Sequence, residues 1–351
     1  MRKTSLFASM LACFLVASPA LASTTAGEGE QATVTQTKLG GELFTNYAAP
    51  TTGFALPGFA VTRARIFADV RYNDTWSGAI ITNVSGLTYD SKTKTTTQPN
   101  VLDLERAFVQ AENLLPNTRL QMGMIETPWF EYEAVAWGYR MLGLLPDAGG
   151  LSPDRRGPSI VTFYDYGLGL TGHVPALNNP NLVSYSLAVL NGEGYNHVKS
   201  AADMSYEGRL TLSPLPGLEL TGMVHRAHPT ADIAPVNREA ALAVYHLGGA
   251  KVAFEGNWVQ DQTSASSPET NGNILGAWVI VPIPAPLPTE LILRGDRITG
   301  NQTTLDANQG FRYETIAGLA VTPVKGVRFV LDNQNIDYHN ADGTPNGNED
   351  I

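Results

Sequence analysis

Charged side chains recur at every second position along several stretches of this chain, and that spacing points to an electrostatic surface rather than a reaction centre. From Val61 to Tyr72, Arg63, Arg65, Asp69 and Arg71 share one face with Phe67, while Thr62, Ala64, Ile66, Ala68, Val70 and Tyr72 share the other. Guanidinium groups are fixed cations that donate to carboxylates and other anions in a planar fork, so a row of them creates a field and does no bond-making. Residues suited to bond-making are scattered. His173, His197, His225, His228, His246 and His339 stand apart from one another or, at His225-Arg226-Ala227-His228, at a spacing too loose for a metal site. None lies beside a Gly-x-Ser-x-Gly elbow. The residues therefore predict no catalytic centre, no metal and no cofactor. A chain that is not an enzyme is the expectation.

The same two-residue period extends well beyond this stretch. From Met204 to Leu212, Tyr206, Leu210 and Leu212 oppose Ser205, Glu207, Arg209 and Thr211; from Ala250 to Gln260, Val252, Phe254 and Trp258 oppose Lys251, Glu255 and Asn257. From Val327, Phe329 and Leu331 oppose Arg328, Asp332 and Gln334. Such charged faces are costly inside a dry sandwich core and cheap against a water-filled lumen, with the apolar face turned to lipid. Fifteen spans carry the pattern, at 37–47, 59–72, 75–88, 101–113, 117–125, 158–172, 181–191, 204–213, 217–226, 238–247, 250–260, 273–281, 289–298, 311–322 and 325–338. Alternation is imperfect in 101–113 and 238–247. Tight-turn chemistry, as at Asn73-Asp74, Pro214-Leu215-Pro216-Gly217 and Gly248-Gly249, alternates with long polar connections. That is the pattern of an all-β, transmembrane antiparallel β-barrel. Fifteen is odd, whereas a closed antiparallel barrel needs an even count. The expectation is therefore sixteen strands with the last absent from the chain, the polar tail from Asn340 to Ile351 opening an outer loop; a fourteen-stranded barrel, with 101–113 or 238–247 a false strand, is the alternative.

Arg2 and Lys3, an apolar run from Leu6 to Val16 and the small residues Ser18-Pro19-Ala20-Leu21-Ala22 predict an export leader over 1–22. The single cysteine, Cys13, lies inside it, so a mature chain holds neither disulfide nor thiol metal site. Loss of Arg2 and Lys3 moves the formal charge from −10 to −12, which excludes the basic face a nucleic-acid partner requires. No later segment is apolar for long enough to form a spanning helix. The polar stretch 23–36 reads as a short periplasmic extension, and 37–351 as one barrel domain surrounded by outer-membrane lipids.

One connection differs from the rest. Residues 126–157 carry Trp129, Phe130, Tyr132, Trp137, Tyr139, Met141, Leu142, Leu144 and Leu145, too much apolar surface to remain in water, so the loop is expected to fold into the lumen. There it would set Glu126, Glu131, Glu133, Asp147 and Asp154 with Arg140, Arg155 and Arg156 at a constriction, facing a wall that includes Arg63, Arg65, Arg71 and Arg119. Acid across from guanidinium makes a transverse field that favours polar solutes. The other outer connections hold ten acids (Asp90, Glu193, Asp203, Asp232, Asp261, Glu269, Asp306, Asp342, Glu349, Asp350) against Lys92, Lys94 and Lys199, which predicts a weak preference for cations at the mouth.

Leu104-Glu105-Arg106-Ala107-Phe108-Val109-Gln110, then Leu114-Leu115-Pro116, Arg119-Leu120-Gln121-Met122-Gly123 and Thr127-Pro128-Trp129, resembles the strand, turn, strand and loop start of Gram-negative outer-membrane porins of the phosphate-selective O/P type and their relatives. Leu190-Asn191-Gly192-Glu193-Gly194-Tyr195 is similar to the strand end before their fourth outer loop. The resemblance covers most of 37–338 and implies a sixteen-stranded, usually homotrimeric channel for passive passage of small hydrophilic solutes or ions. Phosphate selectivity does not carry over, because the family's selectors use lysine-rich constrictions and 126–157 contains no lysine. Relatives of this barrel type also serve as structural sheaths around a partner such as an electron-transfer cytochrome, which is the alternative reading.

Overall fold

The structure, a computed structural model of the 351-residue chain, describes residues 11–17, 35–48, 58–85, 89–90, 95–96, 101–142, 162–176, 179–192, 204–227, 236–261, 270–300, 309–340 and 345–350. Fifteen antiparallel strands pair in chain order. They are β1 (Gln36–Ala48), β2 (Gly58–Arg71), β3 (Trp76–Ser85), β4 (Val101–Glu112), β5 (Thr118–Glu126), β6 (Tyr164–Ala176), β7 (Asn179–Leu190) and β8 (Ser205–Leu215). β9 (Leu218–Ala227), β10 (Val236–Leu247), β11 (Ala250–Asp261), β12 (Thr270–Ile283), β13 (Thr289–Gly300), β14 (Gln309–Val324) and β15 (Val327–Asn340) complete the meander. Each of the fifteen expected spans corresponds to one of these. The largest shift is at β6, which starts at Tyr164 rather than at 158.

An odd number of antiparallel strands leaves the first and last running in the same sense. One segment antiparallel to both fits between them, and Leu11–Ala17 takes that place, pairing Leu11 with Val330 in β15 and Ala17 with Gly40 in β1. Pro345–Asp350 pairs with the other half of β15, from Asn335↔Asp350 to His339↔Pro345. This differs from the expectation of a loop after Asn340: backbone pairing along a strand edge needs no apolar period in the added segment.

The alternation is realised in space. Ile66, Ile80, Leu102, Leu168, Leu187, Leu210, Phe254, Trp258, Leu293 and Leu331 are exposed outward, as lipid contact requires. Inward, the wall is uneven. From β9 to β15 it carries Met223, Ala240, Leu242, Val244, Ala253, Ile274, Trp278, Ile280, Ile292, Ala320 and Val330, buried in one cluster with Trp129, Phe130, Trp137, Tyr139 and Leu142 of the long connection. A uniformly watery lumen does not describe this side. Inward apolar residues at 240, 242 and 244 are also why β10 alternates imperfectly. The irregularity of β4 has another cause: its register with β3 slips between Ile81↔Arg106 and Thr82↔Leu104, so Glu105 is the extra residue of a β-bulge.

Candidate pore constriction

The long connection begins with a helix, α1 (Pro128–Trp137), followed by a 3-10 turn at Arg140–Leu142. Pro128 suits the first helical turn, where a missing N–H costs nothing. Thr127 makes no side-chain cap. Glu207 of β8 takes over that task from the inner wall, accepting the Trp129 backbone N–H at 2.7 Å, and His225 of β9 lies 3.2 Å from its other oxygen. The helix stops at Gly138, whose φ of 76° is readily adopted by glycine and whose N–H reaches the Ala134 carbonyl at 3.0 Å. Lys251 of β11 donates to the Ala136 carbonyl, and Arg328 of β15 to the Gly138 carbonyl at 3.2 Å. The wall thus offers a carboxylate to the helix N-terminus and two cations to its C-terminus, matching the macrodipole.

Side chains complete the attachment. Trp137 packs edge-on against Trp278 of β12 with centroids 5.7 Å apart, and the buried Arg294 guanidinium of β13 lies 4.8 Å from the Trp137 ring. Arg294 also donates to Asp296 at 2.7 Å. Tyr132 donates to Glu219 at 2.7 Å beneath Arg209, 4.8 Å from its ring, and Tyr139 donates to Glu290 beneath Arg328 at 4.6 Å. Burial pushes both phenols above the usual tyrosine range, and the bonds to Glu219 and Glu290 push the same way. Gln334 closes the far end on the Leu142 carbonyl at 2.8 Å. These contacts draw the connection from β5 across the lumen to β15.

The bulge in β4 turns both Glu105 and Arg106 into the lumen. Arg65 donates to both oxygens of Glu105, to Glu42 at 3.2 Å and to the Tyr164 hydroxyl at 2.6 Å. Arg106 pairs with Glu126 at 2.9 Å, and Arg119 with Glu131 at 2.6 Å. Arg63 sits 5.9 Å over Phe44, and Arg140 4.5 Å over Phe130; among the described residues neither has an ion-pair partner. These two cations are near enough to repel each other. Glu133 is fully buried on the side of α1 that meets the wall, within electrostatic reach of Arg294. Arg71 lies at the short-turn end of β2, exposed, with its carbonyl accepting the Thr35 N–H at 2.8 Å. Asp147, Asp154, Arg155 and Arg156 lie outside the described residues.

Of the residues expected at a constriction, Arg63, Arg65, Arg119, Glu126, Glu131 and Arg140 are gathered around the loop. Glu42 and Glu105 join them without having been singled out, and only the broken alternation around 104–106 hinted at Glu105. Nothing local could mark Glu207, Lys251 or Arg294 as anchors of α1. On its open side the helix shows Val135, 76% exposed, and Gly138. Two cavities flank it. One of 470 Å³ is lined by Glu112, Arg119, Tyr132, Thr171, Arg209 and Glu219, and one of 310 Å³ by Glu42, Phe44, Ala134, Gly138, Arg140 and Arg328 among others.

No protein-family model matches this sequence, nor does any curated protein. Solved structures do match in shape. The outer membrane channel DcaP of Acinetobacter baumannii aligns with a TM-score of 0.57 at 11% identity, over 99% of this chain and 94% of that one. Salmonella typhi OmpF, solved in complex with daunomycin, gives 0.60 at 11% identity over 90% of this chain and 95% of that one. OmpT, an outer-membrane protein of Vibrio cholerae, gives 0.56 at 8% identity over 98% and 93%. The chain has the antiparallel β-barrel fold of these outer-membrane proteins, and its apolar outer face is the one such a fold presents to lipid.

Proposed function

We propose that the protein is an outer-membrane porin of a Gram-negative bacterium, allowing passive diffusion of small hydrophilic solutes or ions through a passage narrowed by the 126–157 loop. The observation that carries this reading is the attachment of α1 to the inner wall by Glu207, Lys251, Arg294 and Arg328, beside the paired charges of Arg65, Glu105, Arg106 and Glu126. A sheath around a partner protein needs an empty lumen, and α1 packs inside the barrel against the inward residues of β9 to β15. Residues 1–22 act as the export leader, so the mature barrel lacks the Leu11–Ala17 segment that pairs with β15 and β1 in the uncleaved chain, and the resemblance to trimeric porins makes a homotrimer the assembly to test. N-terminal sequencing of the mature protein, unheated gels and planar-bilayer recording address these points in turn. Expected are a start near Ser23, a heat-sensitive trimer and stepwise ohmic currents. A folded protein that inserts without conducting overturns the porin reading.

A further inference from the structure

The 310 Å³ cavity beside the C-terminal half of α1 combines features that a simple water passage does not need. Phe44, Ala134, Met141 and Val327 give it apolar walls, and Arg140 and Arg328 bring two guanidinium groups into the lining. Arg63, stacked on Phe44, adds a third cation at the edge. The acid in the lining, Glu42, already accepts from Arg65 at 3.2 Å. Arg328 uses an N–H on the Gly138 carbonyl and keeps other donors, since a guanidinium has five. Arg140 has no carboxylate within ion-pair distance among the described residues.

We propose that this cavity binds a small organic anion with an apolar body, of the aromatic monocarboxylate class. A cation would meet two like charges. A compact, strongly hydrated inorganic anion would have to shed water against apolar walls that offer it nothing in return. A carboxylate on a flat hydrocarbon ring satisfies both halves of the site: charge-assisted bonds to Arg140 and Arg328, and a ring against Phe44 and Met141. At 310 Å³ the space stands at the lower end of the ~300–1,000 Å³ typical of small-molecule sites. For transport the proposal rests on the porin reading, since the site would then name a preferred solute; binding itself does not depend on it.

The test is equilibrium titration of the folded mature protein, with residues 1–22 removed, in detergent with benzoate, with benzamide as the uncharged isostere. Saturable benzoate binding is expected, with benzamide at least about tenfold weaker, the weight of one charge-assisted contact. Arg140→Gln and Arg328→Gln should each weaken benzoate about tenfold, and Arg140→Lys should restore part of the loss. Ala134→Leu, which fills the cavity from a helical position and leaves every charge in place, should abolish binding and covers the case in which an arginine variant fails to fold. No saturable binding by the wild type, equal binding of benzamide, or binding unchanged in Ala134→Leu overturns the proposal. Binding without conductance would sink the porin reading and leave the site standing, whereas benzoate-insensitive conductance without binding would do the reverse.

Discussion

Arg294 shows what a single charge does in this lumen. Its guanidinium is buried between Trp137 and Trp278 and bonded to Asp296, with Glu255 and Glu133 in electrostatic reach. Replacing it by methionine keeps bulk and leaves those acids buried without their cation, so Arg294→Met is expected to lower stability by about 3–5 kcal/mol, the usual cost of breaking a buried pair from one side. The midpoint of unfolding followed by gel mobility measures it. Tyr139 makes a pH-dependent anchor. With its phenol pushed up in the folded loop, the folded state keeps a proton that the unfolded loop releases near pH 10. Folded-loop stability is therefore fully present below that pH and falls as pH rises above it. Conductance recorded across the alkaline range should rise above about pH 10 in the wild type, and Tyr139→Phe should flatten the rise. A flat wild-type profile would show that this phenol does not govern the loop.

Helix α1 owes its place to tertiary contacts. Ten residues are too few for a stable isolated helix, and Thr127 supplies no side-chain cap, so the β8 carboxylate and the β11 and β15 cations hold its ends. Valine at Gly138 would force a branched side chain into a left-handed conformation; Gly138→Val is expected to cost at least about 1 kcal/mol and to loosen the loop toward protease. Limited proteolysis of the folded barrel reads this directly. Deleting Glu131 to Asp147 removes the inward element itself, and single-channel conductance should increase. An unchanged value in a correctly folded deletion would mean that the passage is narrowed elsewhere. The location of the 15 strands was legible from their two-residue period and turn chemistry, but a helix inside the third long connection was not. Apart from Glu131 and Glu133 its residues are apolar or aromatic with no clear two-sided pattern, because one side meets Trp278 and the wall while another meets Tyr164 and Phe163.

For the whole molecule, two fields compete. The acids that the sequence puts in the outer connections would draw cations within about 8 Å in physiological salt, although Glu349 and Asp350 pair along β15 instead, while most wall arginines are spent on partners such as Glu105, Glu126 and Glu131. A weak cation preference for small ions is therefore expected in a salt gradient. An Arg63→Ala, Arg65→Ala double variant loses two cations and also releases Glu42 and Glu105, so its reversal potential should move further toward cations. A clear anion preference in the wild type that collapses in the double variant would show that Arg63 and Arg65 outweigh the mouth.

Alternation is a local property: successive side chains of a strand point to opposite sides whatever the rest of the chain does. For that reason the stretch from Val61 to Tyr72 reveals its lipid face and its charged face from the residues alone, and the Gly- and Pro-rich turns reveal where strands reverse. Which inward groups meet is not local. Trp129 and Glu207 are far apart in the chain, as are Gly138 and Arg328, and only the fold of the loop against the curved sheet brings them within hydrogen-bond distance. The bulge at Glu105 and the apolar inward residues of β10 break the simple period in the sequence, yet their meaning emerges only in the folded wall, where one turns a carboxylate toward Arg65 and the other joins the buried cluster under the loop.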